Sequence, residues 1–136
     1  MIGTTSTANV DFVKSLGADV VVDYKKGPIE AVVKDADVVI DNVGGEVLEK
    51  SYQLLREGGI LVTIAGMPSE EKAKALGVTA LSSQQGPPVH LKAIADAVAN
   101  KTLNAESGKV FPLKEARAAH DLSQTGHGRG RIVLKM

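Results

Sequence analysis

Short runs of β-branched residues alternate with stretches of helical periodicity along this chain of 136 residues. The runs are apolar throughout instead of alternating with polar residues, which is typical of strands buried on both faces of a parallel sheet. After a stub strand that leads into residues 3–6, we predict strands over residues 19–24, 37–41, 60–64 and 78–82. We predict helices over residues 8–16, 29–34, 46–55, 69–76 and 90–99.

Two of these helices carry clear apolar stripes. Leu48, Tyr52 and Leu55 lie on one face of the helix over residues 46–55, and Gly58-Gly59 is predicted to end it. The helix over residues 90–99 repeats an i, i+3, i+4, i+7 pattern. Each stripe needs a sheet to cover, and strands that alternate with helices form parallel sheets with right-handed crossovers. The predicted fold class is therefore α/β, a Rossmann-like three-layer sandwich with a parallel sheet.

The last thirty or so residues read as a separate β-α-β tail. We predict an edge strand over residues 108–113, a helix over 114–124 and a final strand over 130–135. Pro112 restricts the first of these strands to an edge or a strand end. The pattern leaves open whether this tail extends the main sheet or forms another one.

Composition removes several function classes. The 16 basic and 16 acidic side chains balance to a net charge of zero, so we expect no nucleic-acid partner. The absence of cysteine excludes disulfides, thiolate zinc sites and cysteine nucleophiles. No apolar stretch approaches the ~20 residues that cross a bilayer, and the first residues lack the features of a signal peptide. We expect a cytoplasmic protein with no membrane partner.

Small, polar and glycine residues gather where each predicted strand ends, which is where open α/β sheets bind ligands. These positions are residues 3–6, 23–26, 41–45 and 64–67. One hydroxyl among residues 4–7 is expected to cap the first helix. Gly44-Gly45 permits either a phosphate site or a tight turn, and we favour the turn. Asp23 and Asp41 are interpreted as structural caps and not as an acid–base pair.

No G-x-G-x-x-G fingerprint is present. The glycine-rich residues 126–130 follow a predicted helix, so we favour a loop, with phosphate binding by Arg129 and Arg131 as the alternative. His90, His120 and His127 lie on separate elements without metal-ligand spacing, so no metal site is expected. His120 is interpreted as a partly buried packing residue.

Several segments together resemble a known superfamily. Residues 13–24, 37–45 and 54–62 resemble the cofactor-binding half of the medium-chain dehydrogenase/reductases. Residues 110–116, 119–120 and 126–134 resemble the end of the zinc-independent quinone oxidoreductase branch, the zeta-crystallin-like reductases. The resemblance covers essentially the whole chain in order and spacing.

This resemblance implies an NADPH-dependent reductase of quinones, enones or related small activated carbonyl compounds, working without zinc. Tyr24 and Lys25 match an aromatic–basic pair near the 2′-phosphate, and no acid accompanies the hydroxyls of Thr5 and Ser6, so NADPH is expected over NADH. The cofactor-binding residues that the resemblance implies are Thr5, Ser6, Tyr24, Lys25, Asn42, Val43, Ala65 and Gly66. It implies no catalytic or metal-binding residue in this chain.

The resemblance begins at the second Rossmann strand of the family. We therefore expect a sheet lacking the first βα unit and its glycine-rich loop. Residues 1–107 would form an incomplete cofactor-binding domain, and residues 108–136 would belong with the catalytic domain. A gap in a parallel sheet exposes unpaired backbone groups, so a homo-oligomer is expected, and the isolated chain is expected to be inactive.

Two other functions stay open. One is a non-catalytic truncated Rossmann module that self-associates through its exposed sheet edge. The other, weaker, is a different Rossmann-like enzyme such as a methyltransferase, which would need a glycine-rich loop after a first strand.

Overall fold

The computed structural model describes residues 1–83, 86–126 and 128–136. The chain divides into two compact units, Met1–Gln84 and Gln85–Met136. The predicted boundary at residue 107 separates a cofactor-binding segment from one that belongs with a catalytic domain. This assignment stays a prediction. Among the described residues, no helix is both long and apolar enough to span a membrane.

Most predicted elements are present. The strands are β1 (Ile2–Thr5), β2 (Val20–Asp23), β3 (Ala36–Asp41), β4 (Leu55–Thr63), β5 (Thr79–Ser82), β6 (Ser107–Pro112) and β7 (Arg131–Lys135). The α-helices are α1 (Val10–Ser15), α2 (Gly45–Ser51), α3 (Glu70–Ala75), α4 (Pro88–Ala99) and α5 (Ala116–Gln124). Short 3-10 turns cover Thr7–Asn9, Ile29–Ala31, Tyr52–Leu54 and Leu113–Glu115.

All strand pairs of the first unit are parallel, which confirms the α/β class. The strands form two sheets, β1–β2 and β3–β4–β5. The first strand of the larger sheet, β3, pairs only with β4 among the described residues. The interruption between the two sheets corresponds to the predicted gap in a Rossmann-like sheet.

One face of the β3–β4–β5 sheet carries the larger core. Val39, Leu61 and Ala80 lie in register across the three strands and therefore share a face. Leu48 and Tyr52 pack there, together with Ala73 of α3. The Tyr52 hydroxyl also accepts a hydrogen bond from the Ser69 backbone N–H at 2.8 Å. Helices α2 and α3 thus cover this face.

Within the described part of the first unit, no element covers the opposite, apolar face of the same sheet. Val38 of β3 is in register with Ile60 of β4 on this face. Ile40 of β3 and Leu81 of β5 lie there too, because each is in register with Val62 of β4. Ile40 is 66% exposed, and Val38, Ile60 and Leu81 are also exposed. We call the surface formed by Val38, Ile40, Ile60 and Leu81 the bare face. Burial on both faces was predicted, and the structure provides it on one.

A second apolar cluster joins elements from both sheets of the first unit. Val22 of β2 packs with Val33 and Leu54, and Ala36 and Val39 of β3 lie against them. The two parallel sheets therefore belong to one folded unit although no strand pairing joins them.

The prediction that Gly58-Gly59 ends the second helix is wrong. Helix α2 ends at Ser51, a 3-10 turn follows, and both glycines lie inside β4. A bulge interrupts the β3–β4 register between Ala36 and Val38. A side chain at Gly59 would crowd the Arg56 carbonyl and the Leu55 side chain of its own strand and the Ala36 carbonyl of β3, so glycine fits the tight backbone at this bulge. The predicted helix over residues 29–34 is reduced to a 3-10 turn.

The second unit contains α4 and the β6-α5-β7 order predicted for the tail. The two strands are parallel and form a sheet of their own. Phe111 and Ala119 are buried in this unit. Helix α4 is present, whereas Leu91 and Ile94 of its apolar stripe are exposed. The expectation that His120 is partly buried is wrong, since it lies on the exposed side of α5.

Candidate functional site

The first four candidate residues meet at the carboxyl end of the β1–β2 sheet. Thr5 is in register with Asp23, and the Tyr24 backbone N–H donates to the Thr5 carbonyl at 3.1 Å. Ser6 and Lys25 follow directly in the two loops, and Tyr24 and Lys25 are exposed. We call Thr5, Ser6, Tyr24 and Lys25 the β1–β2 group. Parallel pairing brings these residues together from two distant parts of the sequence.

Asp23 connects the two loops of this group. Its carboxylate accepts a hydrogen bond from the Thr7 hydroxyl at 2.7 Å and another from the Lys25 backbone N–H at 3.0 Å. The Lys26 ammonium lies 3.9 Å away. The Thr7 hydrogen bond, helped by the Lys25 backbone and the nearby lysines, holds the pKa of Asp23 below its ordinary value. Asp23 is therefore a structural residue of the loops, as interpreted from the sequence.

The expected hydroxyl cap of the first helix is not observed. Ser6 and Asn9 occupy the N-cap positions without a side-chain capping bond, and the Thr7 hydroxyl is used by Asp23 instead. The cause is the register of β1 and β2, which places Asp23 beside this turn.

Replacing Thr7 with valine is expected to raise the pKa of Asp23 toward its ordinary value. A carboxyl whose folded-state pKa is lowered adds stability above its unfolded-state pKa, and this contribution disappears as the pH falls through the folded-state value. Wild type should therefore lose stability more steeply than T7V below about pH 4. Carbon-detected NMR titration of Asp23 measures the shift directly. An unchanged pKa in T7V would contradict the assignment of this hydrogen bond.

The other four candidate residues meet at the carboxyl end of β3 and β4. Asn42 and Val43 follow β3 directly, and Ala65 and Gly66 lie just beyond β4. Asn42, Val43 and Gly66 are exposed and Ala65 is half-buried, with Val43 69% exposed. We call Asn42, Val43, Ala65 and Gly66 the β3–β4 group. The structure thus places the eight candidates as two groups, each at the carboxyl end of a parallel sheet.

A network of hydrogen bonds lies beneath the β3–β4 group. Asp41 is buried and accepts from the backbone N–H groups of Val43 and Gly44, each at 3.1 Å. The Thr63 hydroxyl donates to Asp41 at 2.9 Å and accepts from the Ala65 N–H at 3.1 Å. Asp41 and Thr63 are directly in register on neighbouring strands. Asp41 is thus a cap of its own loop, as interpreted, and also bonds to the next strand.

Gly44 is where the two loops of this group approach most closely. Its backbone has φ 78° and ψ −168°, and a Cβ at this position would overlap the carbonyl oxygen of Ala65. Its N–H is bonded to Asp41 and is therefore not directed at a ligand. The favoured interpretation of Gly44-Gly45 as a tight turn into α2 agrees with this geometry.

Basic residues of the second unit line a separate cavity of about 550 Å³. Lys109, Arg129 and Arg131 are among its lining residues, and glycines form much of the remaining wall. His127 of the glycine-rich segment lies outside the described residues. This cavity is compatible with a simple loop at residues 126–130 and also with phosphate binding by Arg129 and Arg131. The two interpretations both stay open.

Within the described ranges, no three His, Asp or Glu residues are arranged to hold a metal ion. The chain also has no cysteine to supply thiolate ligands. The described residues therefore do not fit a zinc ion.

Thr7 and Thr63 are hydrogen-bond partners of Asp23 and Asp41 that the sequence interpretation did not identify. Thr63 is the last residue of β4 and Asp41 is the last of β3. In the sequence, the available signal for the second pair was that Thr63 lies near the end of one apolar run and Asp41 at the end of another. Their contact depends on strand register, which the sequence does not state.

Comparison with known proteins places this geometry in a family. A family model described as zinc-binding dehydrogenase matches residues 16–134. A probable zinc-binding oxidoreductase, mitochondrial, of Arthroderma benhamiae is 32% identical over all of this chain and 44% of its own length. An NADPH-dependent alkenal/one oxidoreductase, chloroplastic, of Arabidopsis thaliana is 30% identical over 96% of this chain and 32% of its own length.

A solved structure agrees with these relatives. The quinone oxidoreductase from Coxiella burnetii superposes with a TM-score of 0.90 at 34% identity, covering 99% of this chain and 44% of that one. The chain thus spans less than half the length of the relatives it matches. The range matched by the family model includes the β3–β4 group and, of the β1–β2 group, Tyr24 and Lys25. The chain belongs to the zinc-binding dehydrogenase family and corresponds to a C-terminal, cofactor-binding portion of the medium-chain dehydrogenase/reductase superfamily.

Proposed function

We propose that this chain is the NADPH-binding portion of a quinone or enone oxidoreductase. The observation that carries the proposal is the gathering of eight candidate residues at the carboxyl ends of two parallel sheets, where α/β folds bind nucleotides. The names of the Arabidopsis and Coxiella relatives support an enone or quinone as the small-molecule substrate. The bound cofactor would supply the hydride that reduces such a substrate.

The β1–β2 group is proposed to hold the adenosine end of the cofactor. Lys25 supplies a cation and Tyr24 an exposed ring, while Thr5 and Ser6 supply hydroxyls. Asp23, the nearest carboxylate, already accepts hydrogen bonds from Thr7 and the Lys25 backbone, and it lies beside Lys26. This combination suits a 2′-phosphate, because Lys25 is exposed beside the half-buried hydroxyl residues while the carboxylate is engaged elsewhere.

The β3–β4 group is proposed to lie along the nicotinamide end. Val43 presents an exposed apolar side chain there. Ala65 and Gly66 offer a small surface that lets a flat ring approach the backbone. These residues bind and orient a ring and exclude water, and none of them supplies a proton donor. Reduction therefore requires further residues, and we propose that the isolated chain binds cofactor without turning over substrate.

Calorimetry with both cofactors tests the assignment of the adenosine end. NADPH is expected to bind this chain more tightly than NADH, and Lys25→Ala is expected to remove about tenfold of that preference, the value of a charge-assisted hydrogen bond. Lys26→Ala is the matched control, because this neighbouring lysine is directed toward Asp23. Equal or tighter NADH binding by wild type would contradict the proposal, and so would an equal effect of the two lysine variants.

Zinc-independent action and a cytoplasmic location are part of the same proposal. The described residues offer no metal cluster, and a chain without cysteine suits a reducing compartment. Metal analysis of the purified chain after dialysis with added zinc should find no stoichiometric zinc. Cell fractionation should find the chain in the cytosolic fraction, and recovery from an organelle would contradict the location.

A second candidate function is self-association as a non-catalytic module. The observation that favours it is the bare face, next to the unpaired edge of β3 in the described part of the chain. The proposed occupant is a second copy of this chain. Sedimentation equilibrium should show a dimer that Ile40→Lys converts toward monomer without loss of folded structure. A wild-type monomer at every concentration would contradict this candidate.

A further inference from the structure

The two loops of the β3–β4 group are joined by the side chains of a buried pair, Asp41 and Thr63. Asp41 is 3% exposed and Thr63 is fully buried, so their hydrogen bonds form away from solvent. Asp41 accepts from two backbone N–H groups of the β3–α2 loop, those of Val43 and Gly44, and from the Thr63 hydroxyl; the Gly44 N–H is shared between the two carboxylate oxygens. A buried carboxylate costs desolvation free energy unless such bonds compensate it.

Thr63 carries the connection to the second loop. The Thr63 hydroxyl donates a hydrogen bond to the Asp41 carboxylate and accepts one from the Ala65 N–H. The result is a continuous path from the Val43 and Gly44 amides, through Asp41 and Thr63, to the Ala65 amide. Val43 and Ala65, at the two ends of the path, are both candidate residues of the proposed cofactor site.

Packing alone does not require a polar pair at this position. One step back along the strands, the in-register pair is Val39 and Leu61, which fills the same sheet face with apolar side chains. A buried polar pair is generally no more stabilising than an apolar pair of similar volume. The polar pair occurs where the strands end and the loops begin, and there it satisfies loop amides that apolar side chains would leave unpaired.

We propose that Asp41 is a positioning residue that acts through Thr63 to hold Val43 and Ala65 in the arrangement that binds the nicotinamide end of the cofactor. The proposal rests on the proposed function and adds to it a residue that touches no ligand. It differs from the interpretation of Asp41 as a cap, because a cap would serve only its own loop. It predicts that a change at Asp41 alters the loop beyond β4.

The first readout is amide hydrogen exchange, which needs no cofactor. In Asp41→Asn, the Thr63 hydroxyl loses its carboxylate acceptor, so exchange at Ala65 should accelerate about tenfold or more relative to wild type. Thr63→Val removes the link and should accelerate Ala65 in the same way, while Thr63→Ser keeps the hydroxyl and should preserve wild-type exchange. Unchanged exchange at Ala65 in Asp41→Asn would overturn the proposal, whether or not wild type binds NADPH.

The second readout is the dissociation constant for NADPH, measured by cofactor fluorescence. Asp41→Asn and Thr63→Val should each weaken binding about tenfold, and Thr63→Ser should bind like wild type. Because both residues act on one path, the double variant should have an NADPH dissociation constant no larger than that of the single variant with the lower affinity. Fully additive losses would overturn the coupling between the two residues.

A matched control separates positioning from general destabilisation. Ser51 in α2 is equally buried, and its hydroxyl donates to the Val47 carbonyl at 2.8 Å, outside the two loops. Ser51→Ala should reduce stability and leave NADPH binding within twofold of wild type. If Ser51→Ala weakens binding as much as Thr63→Val, the proposal fails. If Asp41→Asn does not fold, the comparison of Thr63→Ser with Thr63→Val decides the same question.

Failure of the proposed function would look different. Wild type that binds no NADPH at millimolar concentration would contradict the cofactor assignment. The exchange experiment would then still decide whether Asp41 and Thr63 hold the two loops together.

Discussion

Leu61→Ala is expected to lower the free energy of unfolding of the first unit by about 2–5 kcal/mol. Leu61 is 0% exposed and lies at the centre of the cluster formed with Leu48, Tyr52 and Ala73. Alanine would leave a cavity on the one face of the sheet that helices cover. Since small domains have total stabilities of about 5–15 kcal/mol, this loss is large. Urea denaturation followed by circular dichroism measures it.

The neighbouring residue is the matched control for this prediction. Ile60 precedes Leu61 on β4, points to the opposite face and is 38% exposed. Ile60→Ala should therefore cost about 1 kcal/mol or less, because little packing is lost on the bare face. Equal losses for the two variants would contradict the assignment of the covered and bare faces.

Gly44→Ala is expected to give the second large effect, on the β3–β4 group. The Gly44 backbone occupies a region nearly restricted to glycine, so a side chain there costs about 1–3 kcal/mol in strain. The added methyl group would also overlap the Ala65 carbonyl oxygen, which only a backbone shift can relieve. The shift would separate Val43 from Ala65, so NADPH binding should weaken by about tenfold or more.

Gly45→Ala is the control because it changes the next residue of the same loop. Gly45 has φ 56°, and no atom lies within 4 Å of an added Cβ. This variant should cost about 1–2 kcal/mol of stability from the left-handed backbone and leave cofactor affinity nearly unchanged. Calorimetry with NADPH compares the two. If both variants bind equally well, the close approach of the two loops does not control the site.

The strands were largely predictable because their signal is local. The run over residues 37–41 corresponds to β3, and residues 60–64 identify the paired part of β4. Continuous apolar character also predicted burial on both faces, which holds for Val39 and Leu61 but not for Val38 and Ile40. Hydropathy shows that a surface is apolar, whereas the element that covers it is a property of the whole assembly.

Element ends were less predictable, and the reason lies in tertiary contacts. Tyr52 continues the apolar stripe of α2, yet it forms a 3-10 turn with Leu54, and the two side chains pack in different clusters. Gly58-Gly59 is a local signal for a helix end and instead lies inside β4, where a Gly59 side chain would crowd the Arg56 carbonyl. In both cases a local preference gave way to packing between distant residues.

The candidate site was predictable as positions at strand ends but not as contacts. The resemblance implied Thr5, Ser6, Tyr24 and Lys25, and the β1–β2 pairing brings them together. The bonds of Asp23 to Thr7 and of Asp41 to Thr63 depend on parallel register between strands. No local pattern contains that register, so the residues that hold the loops were visible only in the fold.

The most direct test of the cofactor assignment is a titration of the isotope-labelled chain with NADPH, followed by amide NMR. Saturable shifts are expected at Thr5, Tyr24, Val43 and Ala65, with smaller shifts at the amino ends of the same strands. Binding in the millimolar range is sufficient, because the shifts report where the cofactor binds. No shift at millimolar NADPH, or shifts that avoid both loop groups, would contradict the proposed cofactor site.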